Sequence, residues 1–187
     1  PLLRQLSKID SKNKFFILCM TPGNFYGKGD LRKEELEQSL NKLLDKKYED
    51  LCIIDEPDKA PDNPRKQWDL DFCEKTLLNY INKHSIDFLI TFDEYGISGH
   101  ANHCFLGRLI KKMNNSYLKN VDIFRLKSLN ILRKYLFIFD LIPSLIDLLV
   151  NSNCENYLLG LNSFEDYKIS FEAMLEHKSQ LMWFRWL

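Results

Sequence analysis

The chain repeats one pattern three times: a short apolar run, then a polar loop, then a longer segment with helical periodicity. The apolar runs are residues 15–20, 51–54 and 88–92. Apolar side chains then recur every three or four residues over residues 31–44, 70–81 and 100–113. This order is typical of βαβ units, which build a largely parallel sheet with right-handed connections. The sequence therefore predicts an α/β fold.

The sequence also indicates where the three helices begin and predicts two further elements, although less clearly. Asp30, Asp69 and Ser98 are the predicted N-caps of the three helices, because their side chains accept hydrogen bonds from free backbone amides. Residues 121–129 predict another strand, and residues 164–181 predict an amphipathic helix.

Three loops follow the apolar runs, over residues 21–30, 55–68 and 93–103, and they hold most of the chain's Gly and Pro. In open parallel sheets, ligands bind beyond the carboxyl ends of the strands. We therefore expect the functional site where these loops meet.

Composition limits the class of protein. The chain has 187 residues, enough for one α/β domain and few for two. Its 26 basic and 26 acidic residues cancel, so no nucleic-acid partner is expected. The five cysteines are scattered, and several lie in apolar runs. They predict free, buried thiols rather than a disulfide framework, which favours a cytosol-facing compartment.

The chain begins at Pro1, and no apolar run reaches the length of a membrane span. We expect the sequence to be an internal piece of a longer chain. The apolar stretch 135–150 is interrupted by Asp140, Pro143 and Asp147. This stretch and the Trp-rich residues 182–187 predict contact with a membrane surface.

His100 and His103 are the strongest candidates for chemistry. They lie three residues apart at the start of a predicted helix, so their side chains share one face. A neutral imidazole is a good zinc ligand, and Gly96 and Gly99 allow a tight turn before the helix. Spacing alone leaves two readings open, a surface or capping pair and part of a metal site. The position after a strand favours the site.

The other candidates each have a structural alternative. His84 is predicted to be a solvated residue at a helix C-terminus, whereas His177 is either a surface residue or a late contributor to the site. Arg32 either lies on a solvated face or reaches an anionic or hydroxyl group of a substrate. Asp93 is either a turn former or a functional carboxylate.

The second loop is rich in aspartate. Its carboxylates are interleaved with prolines at irregular spacing, which is unlike a calcium site. We expect them to be solvated: Asp55, Asp58, Asp62 and Asp69.

Several longer segments carry a family resemblance that covers nearly the whole chain. They are residues 23–27, 29–36, 53–55, 61–64, 67–69, 91–103, 132–135 and 177–185. The most specific is residues 91–103, with the pattern TFDxxGxSGHxNH. These segments resemble the family of N-acetylglucosaminyl-phosphatidylinositol de-N-acetylases (PIG-L), within the LmbE-like deacetylase superfamily. The resemblance implies a single LmbE-like, Rossmann-related three-layer domain over residues 1–187, with a mostly parallel sheet whose N-terminal strand is missing.

The resemblance also implies an activity. Members of this family are zinc hydrolases that remove the N-acetyl group from a glycolipid, the second step of glycosylphosphatidylinositol anchor synthesis, at the cytosolic face of the endoplasmic reticulum. Carried over, His103 is a zinc ligand, and His100 stabilises the oxyanion or protonates the leaving amine. Arg32 contacts the inositol phosphate, and Asp93 also belongs to the substrate-binding set.

One departure from the family stands out. The family's His-Pro-Asp-Asp-Glu motif, which supplies two zinc ligands and the general base, is absent from the sequence. We expect these residues upstream of Pro1, so that the chain alone is catalytically incomplete. The alternatives are an inactive relative or binding subunit with the same fold, and a deacetylase for a soluble conjugate.

Overall fold

The computed structural model describes residues 2–10, 12–45, 47–114, 116–130, 132–133, 137–151, 160 and 163–181. The helices are α1 (Leu2–Ile9), α2 (Gly29–Leu44), α3 (Leu70–His84), α4 (Gly96–Gly99), α5 (Ala101–Asn114), α6 (Leu141–Asn151) and α7 (Phe164–Leu175). The strands are β1 (Phe16–Cys19), β2 (Asp50–Ile53), β3 (Phe88–Phe92) and β4 (Asp122–Leu126). Short 3-10 turns lie at Asn24–Tyr26, Phe137–Asp140 and Lys178–Gln180.

All recorded strand pairs are parallel. β1 pairs with β2 from Phe16 opposite Asp50 to Cys19 opposite Ile53. β3 pairs with β4 from Phe88 opposite Asp122 to Phe92 opposite Leu126. The predicted α/β class with parallel pairing is confirmed. Within the described ranges the strands form two two-stranded sheets rather than one continuous sheet.

One apolar core joins both sheets to the helices α3 and α5. The fully buried side chains of α5 include Leu109 and Ile110, and Cys73 of α3 is also fully buried. Leu18 of β1 and Leu89 of β3 pack against the same cluster. Both helices use their apolar face for this contact, and the loop after β2 adds Ala60 and Trp68 to the same core.

The predicted caps are partly right. Asp69 caps α3, since its side chain accepts a hydrogen bond from the backbone N of Phe72. The prediction for Asp30 is wrong: α2 begins at Gly29 after Lys28, and the Asn24 side chain instead accepts from the Gly29 backbone N. Ser98 lies inside α4 rather than at the start of α5.

The remaining elements are shorter than predicted. The strand expected over 121–129 covers Asp122–Leu126, and the helix expected over 164–181 ends at Leu175, followed by a 3-10 turn. The four cysteines in the described part of the chain are free, as predicted: Cys19, Cys52, Cys73 and Cys104. Burial raises the pKa of the Cys19 and Cys73 thiols to about 11. Cys154 lies outside the described residues.

None of the described helices is long and apolar enough to cross a membrane. In the apolar stretch predicted to contact a membrane, α6 is described, and residues 134–136 are outside the described residues. The Trp-rich residues 182–187 also lie outside them.

Candidate functional site

Asp62 joins the three loops that follow the strands. One carboxylate oxygen accepts hydrogen bonds from the side chains of Thr21 and Asn102, each at 3.3 Å. The other accepts from the backbone N of Phe25 at 3.0 Å. Thr21 and Phe25 belong to the first loop, and Asn102 is the second residue of α5. The loops therefore meet as predicted, although the prediction that Asp62 is solvated is wrong. No spacing pattern in the sequence marks Asp62, and only its place at the sheet edge pointed to it.

Asp93 organises the loop after β3. Its Oδ1 accepts hydrogen bonds from the backbone N of Tyr95 at 3.1 Å and of Gly96 at 2.9 Å. Ser128 donates from its backbone N and from its hydroxyl, both at 2.6 Å. Burial alone would raise the pKa of Asp93, but these hydrogen bonds outweigh it and hold the pKa below its usual value. Asp93 thus acts as a turn former, and its contact with substrate stays a prediction.

The backbone after Asp93 is strained. Ile97 has φ 65° and ψ −46°, a region that a β-branched residue rarely occupies. Its backbone N donates to the Ser128 hydroxyl at 2.8 Å. Gly96 also has a positive φ of 61°, and a Cβ there would lie 2.7 Å from the backbone N of Cys104. The loop is therefore pressed against α5, and such strain is concentrated at functional sites.

His103 is held in one orientation. Its ring stacks on Phe92 with centroids 4.0 Å apart and planes 5° apart. Its Nδ1 lies 3.4 Å from the carbonyl oxygen of Gly96. Burial lowers the pKa of His103, and the neighbouring His100 lowers it further, which favours the neutral imidazole. With the proton on Nδ1, directed at that carbonyl, the Nε2 lone pair is left to bind a ligand.

His100 lies beside His103, as the spacing predicted. The two ring centroids are 4.9 Å apart, with the planes tilted by 42°. His100 is exposed and immediately precedes α5. The structure therefore brings together one constrained imidazole and one accessible imidazole at the start of the same helix.

The donor set for a metal is incomplete. No group of three or more His, Cys, Asp and Glu side chains converges on one point within the described residues. Catalytic zinc usually has three protein ligands. The orientation of His103 fits one of them, while the described side chains alone do not form a zinc site.

Arg32 forms a hydrogen bond to the backbone of the first loop. Its guanidinium Nη1 donates to the carbonyl oxygen of Gly23 at 2.5 Å. Gly23 has φ 74°, and a Cβ there would lie 2.8 Å from Nη1. Arg32 therefore fixes the conformation of the loop, and its predicted contact with a substrate phosphate stays a prediction.

The other two histidines lie apart from this pair. The prediction that His84 is solvated is wrong: its ring packs between Phe16 and Tyr80, with centroids 4.7 and 4.6 Å away. His177 is half-buried, and burial lowers its pKa. The nearby Ser179 donates twice to Glu35 of α2, which places the segment around His177 against that helix.

Comparison with known proteins identifies close relatives. The family model described as PIG-L, GlcNAc-PI de-N-acetylase, matches residues 3–114. The N-acetylglucosaminyl-phosphatidylinositol de-N-acetylase of Bos taurus is 35% identical over 187 residues, covering 99% of this chain and 70% of that protein. The probable enzymes of the same name are 29% identical in Dictyostelium discoideum (100% and 80% covered) and 32% in Schizosaccharomyces pombe (91% and 67%). No solved structure gives a significant match.

Proposed function

Since the chain belongs to the PIG-L family of GlcNAc-PI de-N-acetylases, we propose that it hydrolyses the N-acetyl group of N-acetylglucosaminyl-phosphatidylinositol. The products are acetate and glucosaminyl-phosphatidylinositol. One structural observation carries the proposal beyond the family match. The His103 ring, whose Nδ1 lies 3.4 Å from the Gly96 carbonyl oxygen, is 4.9 Å from the ring of the exposed His100, close to where the strand-following loops converge.

His103 is proposed as a zinc ligand. Its Nδ1–H faces the Gly96 carbonyl and its ring rests on Phe92, so little rotation is left to lose when a metal binds. When bound, zinc would polarise the amide carbonyl and lower the pKa of a bound water. The further ligands and the general base are predicted from the family motif that this sequence lacks.

His100 is proposed to act on the reacting amide. Because it is exposed, its ring is accessible to a bound substrate. In the protonated form it donates a hydrogen bond to the developing oxyanion, or passes its proton to the leaving amine. The loop that precedes His100 is fixed by the hydrogen bonds between Asp93 and Ser128, and it positions the His100 ring.

The setting of the reaction is also a proposal. A phosphatidylinositol glycolipid is presented at a membrane surface, which we place at the cytosolic face of the endoplasmic reticulum, as the second step of anchor synthesis. The helix α6 supports membrane contact, since Ile142 and Val150 are 65% and 68% exposed.

The test is deacetylation of synthetic N-acetylglucosaminyl-phosphatidylinositol by the complete gene product. His103→Ala should abolish both turnover and zinc retention, whereas His100→Ala should retain zinc and lose turnover. His84→Asn, a histidine away from the pair, is the matched control and should retain both. Equal metal loss from the two site variants would contradict the assigned roles.

A non-catalytic relative with the same fold predicts a different result. It is favoured by the absence of a three-donor group within the described ranges. Such a protein would bind the glycolipid headgroup without releasing acetate and without retaining zinc, and the same assay with metal analysis separates the two.

A further inference from the structure

A cavity of about 290 Å³ opens against the first turns of α5, the helix that carries His103. It lies between the second loop and the face of α5 that carries Ala101, Asn102, Phe105 and Arg108. Asn102 stands between His100 and His103 in the chain and donates to Asp62. The cavity wall therefore includes the residue that directly precedes His103 in the chain. The volume is close to the lower end of the range for small-molecule sites.

The cavity has one apolar wall and one cationic rim. Trp68 and Phe105 line it with ring centroids 5.3 Å apart, and Trp68 is fixed by a hydrogen bond from its Nε1 to the Pro61 carbonyl oxygen at 2.9 Å. Arg65, Lys66 and Arg108 line the rim.

These three cations are exposed, and none has a recorded ion pair within the described part of the chain. Other cations nearby are paired, as Lys111 is with Glu94 and Lys59 with Asp69. In a chain with zero formal net charge, three unpaired cations on one cavity produce a local positive potential. Two guanidinium groups and an ammonium group match the oxygens of a phosphate.

We propose that this cavity binds the phosphorylated polyol of the substrate headgroup. Arg65, Lys66 and Arg108 hold the phosphate oxygens, and Phe105, which contacts the buried Trp68, packs against the polyol ring. This inference rests on the proposed function. It assigns the phosphate to residues other than Arg32, whose Nη1 already donates to Gly23.

Binding is tested first, without turnover. The complete gene product is titrated calorimetrically with lipid-free N-acetylglucosaminyl-inositol phosphate and with its phosphate-free counterpart. The triple variant Arg65→Gln, Lys66→Gln, Arg108→Gln should bind the phosphorylated probe at least about tenfold more weakly than wild type. The phosphate-free probe should bind both proteins equally. The matched control, Lys75→Gln, Lys83→Gln, Lys119→Gln, removes the same charge from exposed positions elsewhere and should bind like wild type.

Turnover gives the second readout. The site triple variant should raise KM for the phosphorylated substrate about tenfold and leave kcat near wild type, since the interaction is made equally in ground and transition states. Equal effects in the two triple variants, or no effect in the site variant, would overturn the proposal while leaving the deacetylase assignment intact. Inorganic phosphate that binds as tightly as the phosphorylated probe would overturn the headgroup assignment. Charge-dependent binding without deacetylation would uphold the subsite and remove the proposed function.

Discussion

Ser128 donates two hydrogen bonds to Asp93, from its backbone N to Oδ2 and from its hydroxyl to Oδ1, both at 2.6 Å. Asp93 directly follows β3 and Ser128 follows β4, so this contact ties the exits of two neighbouring parallel strands. The same carboxylate accepts from the Gly96 backbone N, and the Gly96 carbonyl faces His103. The carboxylate of Asp93 is therefore linked through Gly96 to the imidazole of the candidate zinc ligand.

Replacing Asp93 by Asn should loosen this junction. The amide keeps one acceptor oxygen but presents an NH₂ group in place of the other. Because Oδ1 now accepts three hydrogen bonds and Oδ2 accepts one, at least one hydrogen bond is lost. We expect the free energy of unfolding to fall by about 1–3 kcal/mol, and zinc retention to weaken as His103 loses its fixed orientation. Chemical denaturation and metal analysis measure the two effects. Asp87→Asn, an exposed carboxylate at the other end of β3, should change neither.

Acid should act on the same contact. The pKa of Asp93 is held below its usual value of 3.8, so the unfolded chain takes up this proton first. The stabilisation is therefore complete above that value and is lost as the pH falls through the lower pKa of the folded state. Unfolding free energies measured from neutral pH down to about pH 3 should fall less steeply for Asp93→Asn than for wild type. Parallel curves would rule out this carboxylate as a source of acid sensitivity.

The elements of the fold that rest on local chemistry were predictable. The Asp69 side chain accepts a hydrogen bond from a backbone N–H in the first turn of α3, as predicted. The apolar run 88–92 forms β3 with the predicted bounds. The cap of α2 was mispredicted as Asp30, because the turn Asn24–Tyr26 brings the Asn24 side chain to the start of the helix from five residues earlier in the chain. His84 was also mispredicted, since solvation at a helix end gave way to packing between two rings from different elements.

Asp62 should matter more than any other aspartate of its loop. Replacement by Ala removes three hydrogen bonds and leaves the buried Asn102 amide without the acceptor it has here. We expect a loss of about 1–3 kcal/mol in the free energy of unfolding, and a larger loss of deacetylation, because the first loop separates from α5. Asp58→Ala, an exposed carboxylate four residues earlier, is the control. Equal effects of the two substitutions would refute the bridging role.

In the candidate site too, local features were predictable from the sequence, whereas long-range contacts were not. The spacing of His100 and His103 is local, so their pairing was predictable, whereas the partners that fix them are distant in sequence. Ser128 reaches Asp93 across 35 residues, and Asn102 reaches Asp62 across 40. Neither contact leaves a periodic or spaced pattern, because side chains that meet across a sheet edge are placed by topology rather than by chain distance.

Glu35 should anchor the segment after α7. Its buried carboxylate accepts from the Ser179 backbone N and hydroxyl, both at 2.6 Å and 144 residues away in the chain. In Glu35→Gln, an NH₂ group replaces one of the two acceptor oxygens and faces a donor of Ser179. One hydrogen bond is lost, and the segment should detach more often. Limited proteolysis near residues 177–181 should speed up several-fold relative to Glu34→Gln, an exposed neighbour on α2. Cleavage at the wild-type rate in Glu35→Gln would argue against the anchor.

Gly107 allows α5 to lie directly on the loop after β3. A Cβ at this position would overlap the backbone carbonyl of Asp93, and both contacting groups belong to the main chain, so neither moves easily. Gly107→Ala should therefore cost about 1–3 kcal/mol or more, as overpacking of a core does, and should displace the Asp93 loop from His103. Gly27→Ala is the matched control, since Gly27 has φ 70° but open space around its missing Cβ. That variant carries backbone strain alone, so it should keep zinc binding and turnover while Gly107→Ala loses both. If Gly107→Ala retains them at wild-type levels, the close approach of α5 to the loop does not position the site.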